Sequence, residues 1–341
     1  MRENCNVLIT TIGRRTYLVD YFKKALAGAG KVYVTNSEPD VPAFEIADGA
    51  VVPPLIYDED YIPFLLDFCV KKEIGMLFSV FDLELPVLAK NIDKFTAIGT
   101  KVMVSSYDTV TTCNDKWKSY QKLLELGIGT PKTYPSLEEA EKALESGELN
   151  YPVLIKPRWG TGTMSTFEAE DAEELRVLYD KCKRDIFKSY LKYESGQDQE
   201  NCVLIQEKVK GQEYGLDLIS DLEEHYLHTV VKKKMQMRGS ETDCAFTVDE
   251  PELRDIGRRI SKGLPHVGNM DVDVMCDGAS CYVIDMNARI GGGYPFSHVA
   301  GIDLPRLMVK WAKGEETDMS LLQERIGVKA RKDIAIYVFD K

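Results

Sequence analysis

Residues 282–295 read YVIDMNARIGGGYP. The apolar run Tyr282 to Ile284 has the composition of a strand, and on a strand the side chains at i, i+2 and i+4 share one face. Asp285, Asn287 and Arg289 therefore point the same way. Carboxylate and amide oxygens are hard ligands that suit Mg2+. A guanidinium fork suits phosphate oxygens. Upstream, NMDVDVMCDG sets Asp271 and Asp273 on one face of a preceding strand, and the short turn CDGAS makes a hairpin that brings Asp273 beside Asp285. Two carboxylates and an amide oxygen at one spot form a site for Mg2+ holding a nucleotide's phosphates. The competing reading is a solvated sheet face with alternating polar residues.

Two further stretches carry related chemistry. YPVLIKPRWGTGTMST ends an apolar strand on Lys156 and continues into a loop with Gly160, Thr161, Gly162, Thr163 and Ser165. Backbone N–H groups and hydroxyls in such a loop can close over phosphates. The strand TFEAE follows, not a helix, so the loop is a hairpin flap and not a Rossmann turn. In LIQEKVKGQEYGLDL a strand runs into a connector whose backbone, Glu207, Lys208 and Val209, can read an adenine edge, and Glu213 can accept from ribose hydroxyls.

The elements that must position these residues fall into two textures. Residues 1–105 alternate strand and helix: NVLITT, then a helix in TYLVDYFKKALAGAG, then KVYVTN and AVVPP, a helix in DEDYIPFLLDFCVKK, MLFSV, a helix in DLELPVLAKNI, and KVMVS. That alternation implies an open parallel sheet wound by helices. A long amphipathic helix, Tyr107 to Leu126, then runs through TPKTYP into a second domain. There the strands YPVLIKP and CVLIQEKV enclose the flap, an acidic helix around DAEELRVLYDKCKRDIFKSYL and a polar mobile turn, KYESGQDQEN. The last third reads as antiparallel strands: EYGLDLIS, YLHTVVKKKMQMR, NMDVDVMCDG and CYVIDMNAR. GAGK at residues 28–31 lacks the Ser or Thr and the leading glycine of a P-loop. TTIGRRTYL lacks the GxGxxG glycines, although Arg14 and Arg15 before a helix could hold an anion; the plainer alternative is two surface arginines.

Composition narrows the classes. A chain of 341 residues predicts about two domains with ample core. A net charge of −12 argues against general nucleic-acid binding. No apolar run approaches the roughly 20 residues that span a bilayer, and the N-terminal apolar stretch is too short for a secretory leader. The eight cysteines form no CxxC pair and read as reduced thiols of a cytoplasmic protein. His225 and His228 lack a third ligand nearby and read as turn or strand-edge residues.

Lysine, glycine-rich flap, QEKVKGQE and IDMNAR, in this order and at these separations, resemble the ATP-grasp superfamily over residues 108–315 or so. Residues 1–105 look like the Rossmann-like domain that precedes it. NMDVDVM and YVIDMNARIGGGYP are most similar to the ATP-grasp halves of the carbamoyl phosphate synthase large subunit. The resemblance implies an α/β chain: a Rossmann-like parallel-sheet N-terminal (pre-ATP-grasp) domain over residues 1–107, then an α+β ATP-grasp fold over residues 108–341, with a mobile lid near 134–205.

It also implies roles. Lys116 and Lys156 match lysines on the ATP phosphates, with Gly160, Thr161, Gly162 and Thr163 as the flap. Glu207, Lys208 and Val209 match the adenine connector, and Glu213 the ribose carboxylate. Asp273, Asp285 and Asn287 match the metal ligands. Arg289 and, less closely, Arg238 match basic residues at the transferred phosphate and acceptor. The family usually has Glu in place of Asp285 and Pro in place of Ala288, which leaves a one-metal or weakened site open. The implied reaction is ATP-dependent carboxylate–amine ligation through an acylphosphate, releasing ADP and phosphate. Its cofactors are ATP and Mg2+, with Mn2+ able to stand in. Its partners are small carboxylates and amines, with no nucleic acid and no membrane, and a homodimer is compatible. Two alternatives accompany it: a carbamoyl phosphate synthase-like subunit working with a partner chain, and a non-catalytic ATP-binding protein.

Overall fold

The computed structural model describes residues 5–160, 162–239 and 241–339. Its first sheet has five parallel strands, β1 (Asn6–Thr10), β2 (Val32–Thr35), β3 (Gly49–Val51), β4 (Ile74–Ser79) and β5 (Lys101–Val102), in the order β3-β2-β1-β4-β5. Near-continuous apolar strands are buried on both faces: Val7, Leu8 and Ile9 are inaccessible to solvent. Helix Thr16–Leu26 covers one face because Leu18, Val19, Phe22 and Leu26 recur at helical spacing and are buried. The chain order reverses between β1 and β4. Ligands in open parallel sheets bind beyond the carboxyl ends of strands at such a reversal. Here the loops 11–15 and 80–82 leave those two ends.

The second sheet comprises β6 (Thr133–Tyr134), β7 (Val153–Pro157), β8 (Phe167–Ala169) and β9 (Val203–Glu207), in the order β6-β9-β7-β8. With helices Leu137–Glu145 and Ala172–Lys188 it encloses a core around Val153, Ile155, Leu175, Cys182, Ile186 and Ile205, which Leu83 from the segment after β4 also joins. β7 and β8 pair antiparallel, so the glycine loop is a hairpin tip.

The third sheet has six strands: β10 (Gln212–Ser220), β11 (Tyr226–Arg238), β12 (Glu241–Thr247), β13 (Gly268–Cys276), β14 (Cys281–Asn287) and β15 (Lys329–Arg331), in the order β14-β13-β10-β11-β12-β15. Helix Pro251–Gly263 packs its Leu253, Ile256 and Ile260 into the core shared by this sheet and part of the first. Neither that helix nor β12 was expected, although the helix's apolar spacing is regular.

Three expectations are corrected. The single helix Tyr107 to Leu126 is two helices, Tyr107–Asn114 and Lys116–Glu125. Asp115 breaks it: its extended backbone bridges Trp159, its side chain accepts the N–H groups of Trp117 and Lys118, and both its oxygens bind Arg158, at 2.7 and 2.8 Å. The supposed mobile turn KYESGQDQEN contains a short helix, Lys192–Ser195, with Ser195 buried. The reduced-thiol reading fails for one pair, since the β13–β14 register sets Cys276 opposite Cys281 and their sulfurs are bonded. The other six cysteines are buried. His225 contacts Asp221 and His228 contacts Glu324, each at 3.2 Å. Among the described residues no helix is long and apolar enough to cross a membrane.

Candidate active site

The hairpin β13–β14 sets Asp273 directly opposite Asp285 and Asp271 opposite Asn287. The Asn287 amide donates to Asp285 at 3.3 Å. β14 ends at Asn287, so Arg289 lies just past the regular strand, yet its side chain reaches the same cavity. There it ion-pairs with Asp82 at 3.0 Å and donates to Asp271 at 3.1 Å. The first glycine after it is explained by a neighbour within the chain: a Cβ on Gly291 would lie 2.1 Å from the Asp271 carboxyl carbon.

Lysines neutralise the acids. Lys116, at the start of the second of the two helices made by Asp115, donates to Asp285 at 2.7 Å. Lys234 on β11 donates to Asp273 at 2.6 Å and to Glu213 at 2.7 Å. Lys234 crosses over Gly215 of β10, where a Cβ would come within 3.2 Å of its stem. Burial pushes the Asp273 carboxyl up to about 7, with Lys234 opposing. Burial acts most strongly, to raise Asp285, but the Lys116 ammonium, the charge of Lys156 and the Asn287 amide together hold that carboxyl below its ordinary value. Lys156 donates to Gln206 at 2.8 Å. Its burial, aided by the nearby charge of Lys116, brings the ammonium down to about 8.

Two cavities meet at this cluster. One, of about 390 Å3, is lined by Leu154, Lys156, Val209, Met275 and Ile284 among others. The second, of about 360 Å3, is lined by Arg15, Asp82, Lys232, Glu241, Arg289 and Phe296 among others. Gly162, Thr163, Asp273 and Asp285 line both. An apolar slot therefore opens at one side of a carboxylate pair and a strongly charged chamber at the other. Among the described residues no three Asp, Glu, His or Cys side chains cluster as a ready-made metal cage. The donor set of Asp273, Asp285 and Asn287 still fits a hard divalent cation that takes its remaining ligands from phosphate oxygens and water.

Most of the residues expected at a site come together. Lys116, Lys156, Gly160, Gly162, Thr163, Glu207, Val209, Glu213, Asp273 and Asp285 line the first cavity, and Asn287 and Arg289 the second. Thr161 lies outside the described residues. Lys208 points away and pairs with Glu168, which leaves only its backbone to face a ligand. Arg238 is not brought to either cavity; half-exposed, it pairs with Asp243 at 2.9 Å. The cations that do enter from β11 are Lys232 and Lys234. Their alternation in KKK was a legible signal, since i and i+2 share a face. Asp82 had none: it comes from the first sheet's β4 loop, and only folding brings it to Arg289.

Comparison with known proteins adds the following. Residues 113–293 match the family model described as "ATP-grasp domain", and residues 7–103 match "PylC-like, N-terminal domain". The chain is similar to the carbamoyl phosphate synthase large chain of Clostridium acetobutylicum, 26% identical over 257 residues, which is 72% of this chain and 22% of that enzyme. The match thus spans about a fifth of that relative's length. Biotin carboxylase from Campylobacter jejuni superposes with a TM-score of 0.73 at 15% identity, covering 94% of this chain and 74% of that one. An L-amino acid ligase from Bacillus licheniformis superposes with a TM-score of 0.70 at 20% identity, covering 93% and 77%. At these identities the two structures speak to the fold.

Proposed function

The chain belongs to the ATP-grasp family, and from that premise we propose that it is an ATP-dependent carboxylate–amine ligase acting on small molecules. The observation that carries this reading is the junction of the two cavities at Asp273 and Asp285. The first cavity would seat ATP: its apolar lining, Leu154, Val209, Met275 and Ile284, suits adenine, with Glu207 to Val209 offering backbone groups to the base edge and Glu213 a carboxylate to the ribose. Lys116 and Lys156 would meet the phosphates under the Gly160–Thr163 flap. Glu213 and Asp285 would then exchange their lysine partners for ligand contacts. Residues 1–107 would form the pre-ATP-grasp domain and 108–341 the ATP-grasp domain. Most of the second sheet's core comes from residues 140–205, with Leu83 as its buried member from outside them, and this supports residues 134–205 acting as a lid.

In this mechanism Asp273, Asp285 and Asn287 would hold Mg2+, or Mn2+ in its place. The metal, when bound, supplies shielding of the phosphate charge. Arg289, fixed by Asp82 and Asp271, orients the transferred phosphoryl group from the second cavity. A carboxylate oxygen of the acceptor, bound in that cavity, attacks the γ-phosphorus in line and ADP leaves. The amine then attacks the acyl carbon and expels phosphate, while the closed flap excludes water from the acylphosphate. The test is an ADP-release screen over amino acids, small carboxylates and bicarbonate, followed by heavy-oxygen labelling of the productive carboxylate. One labelled atom should appear in the released phosphate. Label-free phosphate from a productive coupling would remove the carboxylate as the attacking group.

A pH dependence follows from Lys156. Because its ammonium is lowered to about 8, the free protein loses that charge as the pH rises through 8, and ATP binding must then take up a proton from solution. ATP affinity is expected to fall between pH 7 and pH 9, by about tenfold per pH unit at most above the pKa. Calorimetry on Lys156→Arg, which stays charged, should show a flatter profile. An equal slope in both proteins would locate the titrating group elsewhere.

A further inference from the structure

Of the four cations that line the second cavity, three have an ion pair among the described residues. Arg289 is held by Asp82 and Asp271. Lys232, almost wholly buried, pairs with Asp217, which also accepts from Asn269 and Ser297. Lys234 is held by Glu213 and Asp273. Glu241 pairs with Lys332 at 3.1 Å, and its carboxylate also feels the charge of Arg15 without an ion pair between the two. Arg15 is the remaining cation of the lining, and among the described residues its side chain has neither an ion pair nor a hydrogen bond; its Nε is buried without a partner. A buried guanidinium N–H without a partner is costly, and this one belongs to a side chain that lines a cavity a ligand group can enter.

The backbone carrying Arg15 is fixed in place. Ile12 N–H donates to Thr35 O at 3.1 Å, Gly13 N–H to the Asn36 side chain at 3.2 Å, and Arg15 N–H to Ile12 O at 3.2 Å. Thr11 sits in the left-handed region at φ 50°. Its hydroxyl donates to Glu84, a fully buried carboxylate that also accepts from Tyr61 and Ser79 at 2.6 Å each. Strain of that kind persists only where surrounding contacts over-determine it. The loop lies at the reversal between β1 and β4, beside the 80–82 loop that supplies Asp82.

Resting on the ligase reading above, we propose that Arg15 receives an oxyanion of the acceptor other than the carboxylate that is phosphorylated, so that the substrate carries a second, fixed negative group, carboxylate or phosphate. The phosphorylated end lies toward Arg289, Lys232 and Asp273, and the second anion toward the first sheet. Bicarbonate, with one anionic group, cannot fill both positions at once.

The probes are succinate and 3-phosphonopropionate, each set against butyrate and bicarbonate. Binding to protein saturated with a non-hydrolysable ATP analogue and Mg2+ is read by calorimetry and thermal shift. Wild type should bind at least one two-anion probe about tenfold or more tightly than butyrate or bicarbonate, as a charge-assisted contact would give. Preference for succinate assigns a carboxylate to Arg15, and preference for 3-phosphonopropionate a phosphate. Arg15→Gln should abolish the preference and Arg15→Lys should restore part of it. Both variants leave no internal partner stranded, and their melting temperatures are measured alongside. An unchanged preference in Arg15→Gln overturns the proposal, and so does a wild type that binds all four probes alike or none of them. ATP affinity and ADP release of wild type are measured separately. Their absence would sink the ligase reading itself, whereas their presence with no two-anion preference would sink only the role of Arg15.

Discussion

Asp285→Asn is expected to lower ADP release at least a hundredfold, with Asp273→Asn close behind, while both proteins stay folded. Each change keeps the side chain's shape and removes one negative charge from the junction of the two cavities. Asp285 is the partner of Lys116, and Lys156 lies close enough for its charge to be felt. Without that carboxylate, two ammonium groups face each other, and a divalent cation loses a charged ligand where the reacting phosphate must sit. Removal of a single preorganised electrostatic group from an active site costs about 100- to 1,000-fold in rate. Raising Mg2+ should recover part of the loss, because the deficit is partly one of metal affinity. Wild-type rates in both variants at limiting Mg2+ would reduce the hairpin to an ordinary sheet face.

Arg289→Ala is expected to act on stability and turnover together. The guanidinium is largely buried between Asp82 and Asp271. Removing it strands two carboxylates, and breaking a buried pair in this way costs about 3–5 kcal/mol. Burial already raises the Asp271 carboxyl, with Arg289 opposing. Loss of Arg289 raises it further, so the native state binds more protons than the unfolded chain. Stability of the variant therefore falls as pH rises, and its melting deficit should be larger at pH 8 than at pH 5. Turnover should fall by a hundredfold or more even at temperatures where the variant is folded, because the phosphoryl group loses its bidentate donor. Arg289→Lys should recover part of the stability and little of the rate, since an ammonium cannot serve both carboxylates and a phosphate with one planar fork. A pH-independent deficit would mean that Asp82 and Asp271 are neutral or solvated in the native protein.

Much of this site could be read from local pattern alone. The period of two sets Asp271 with Asp273 and Asp285 with Asn287. The turn's own register, with Cys276 opposite Cys281 and Val274 opposite Val283, would put Asp273 opposite Ile284; an irregularity between Asp273 and Val274 shifts the pairing by one residue and brings Asp273 to Asp285. Strand alternation also marks Lys156 before its loop and the connector at Glu207 to Val209, because these depend on residues adjacent in the chain. The helix break at Asp115 was missed for the opposite reason. An amphipathic pattern continues through it, and what stops the helix is Arg158 and Trp159, from the end of another strand and the loop beyond it.

Local pattern thus set the strand faces and the residue types gathered there, since each depends on backbone geometry over a few residues, whereas the shift that pairs Asp273 with Asp285 came from the folded hairpin. Which charges face one another was settled by long-range folding. It turned Arg238 out to Asp243 while Lys232 and Lys234 turned in. It brought Asp82 from the first sheet to Arg289 and, among the described residues, left Arg15 of the same cavity without an ion pair. Those outcomes depend on long-range packing, because a buried charge keeps its place only when a partner arrives from elsewhere in the fold or from a ligand.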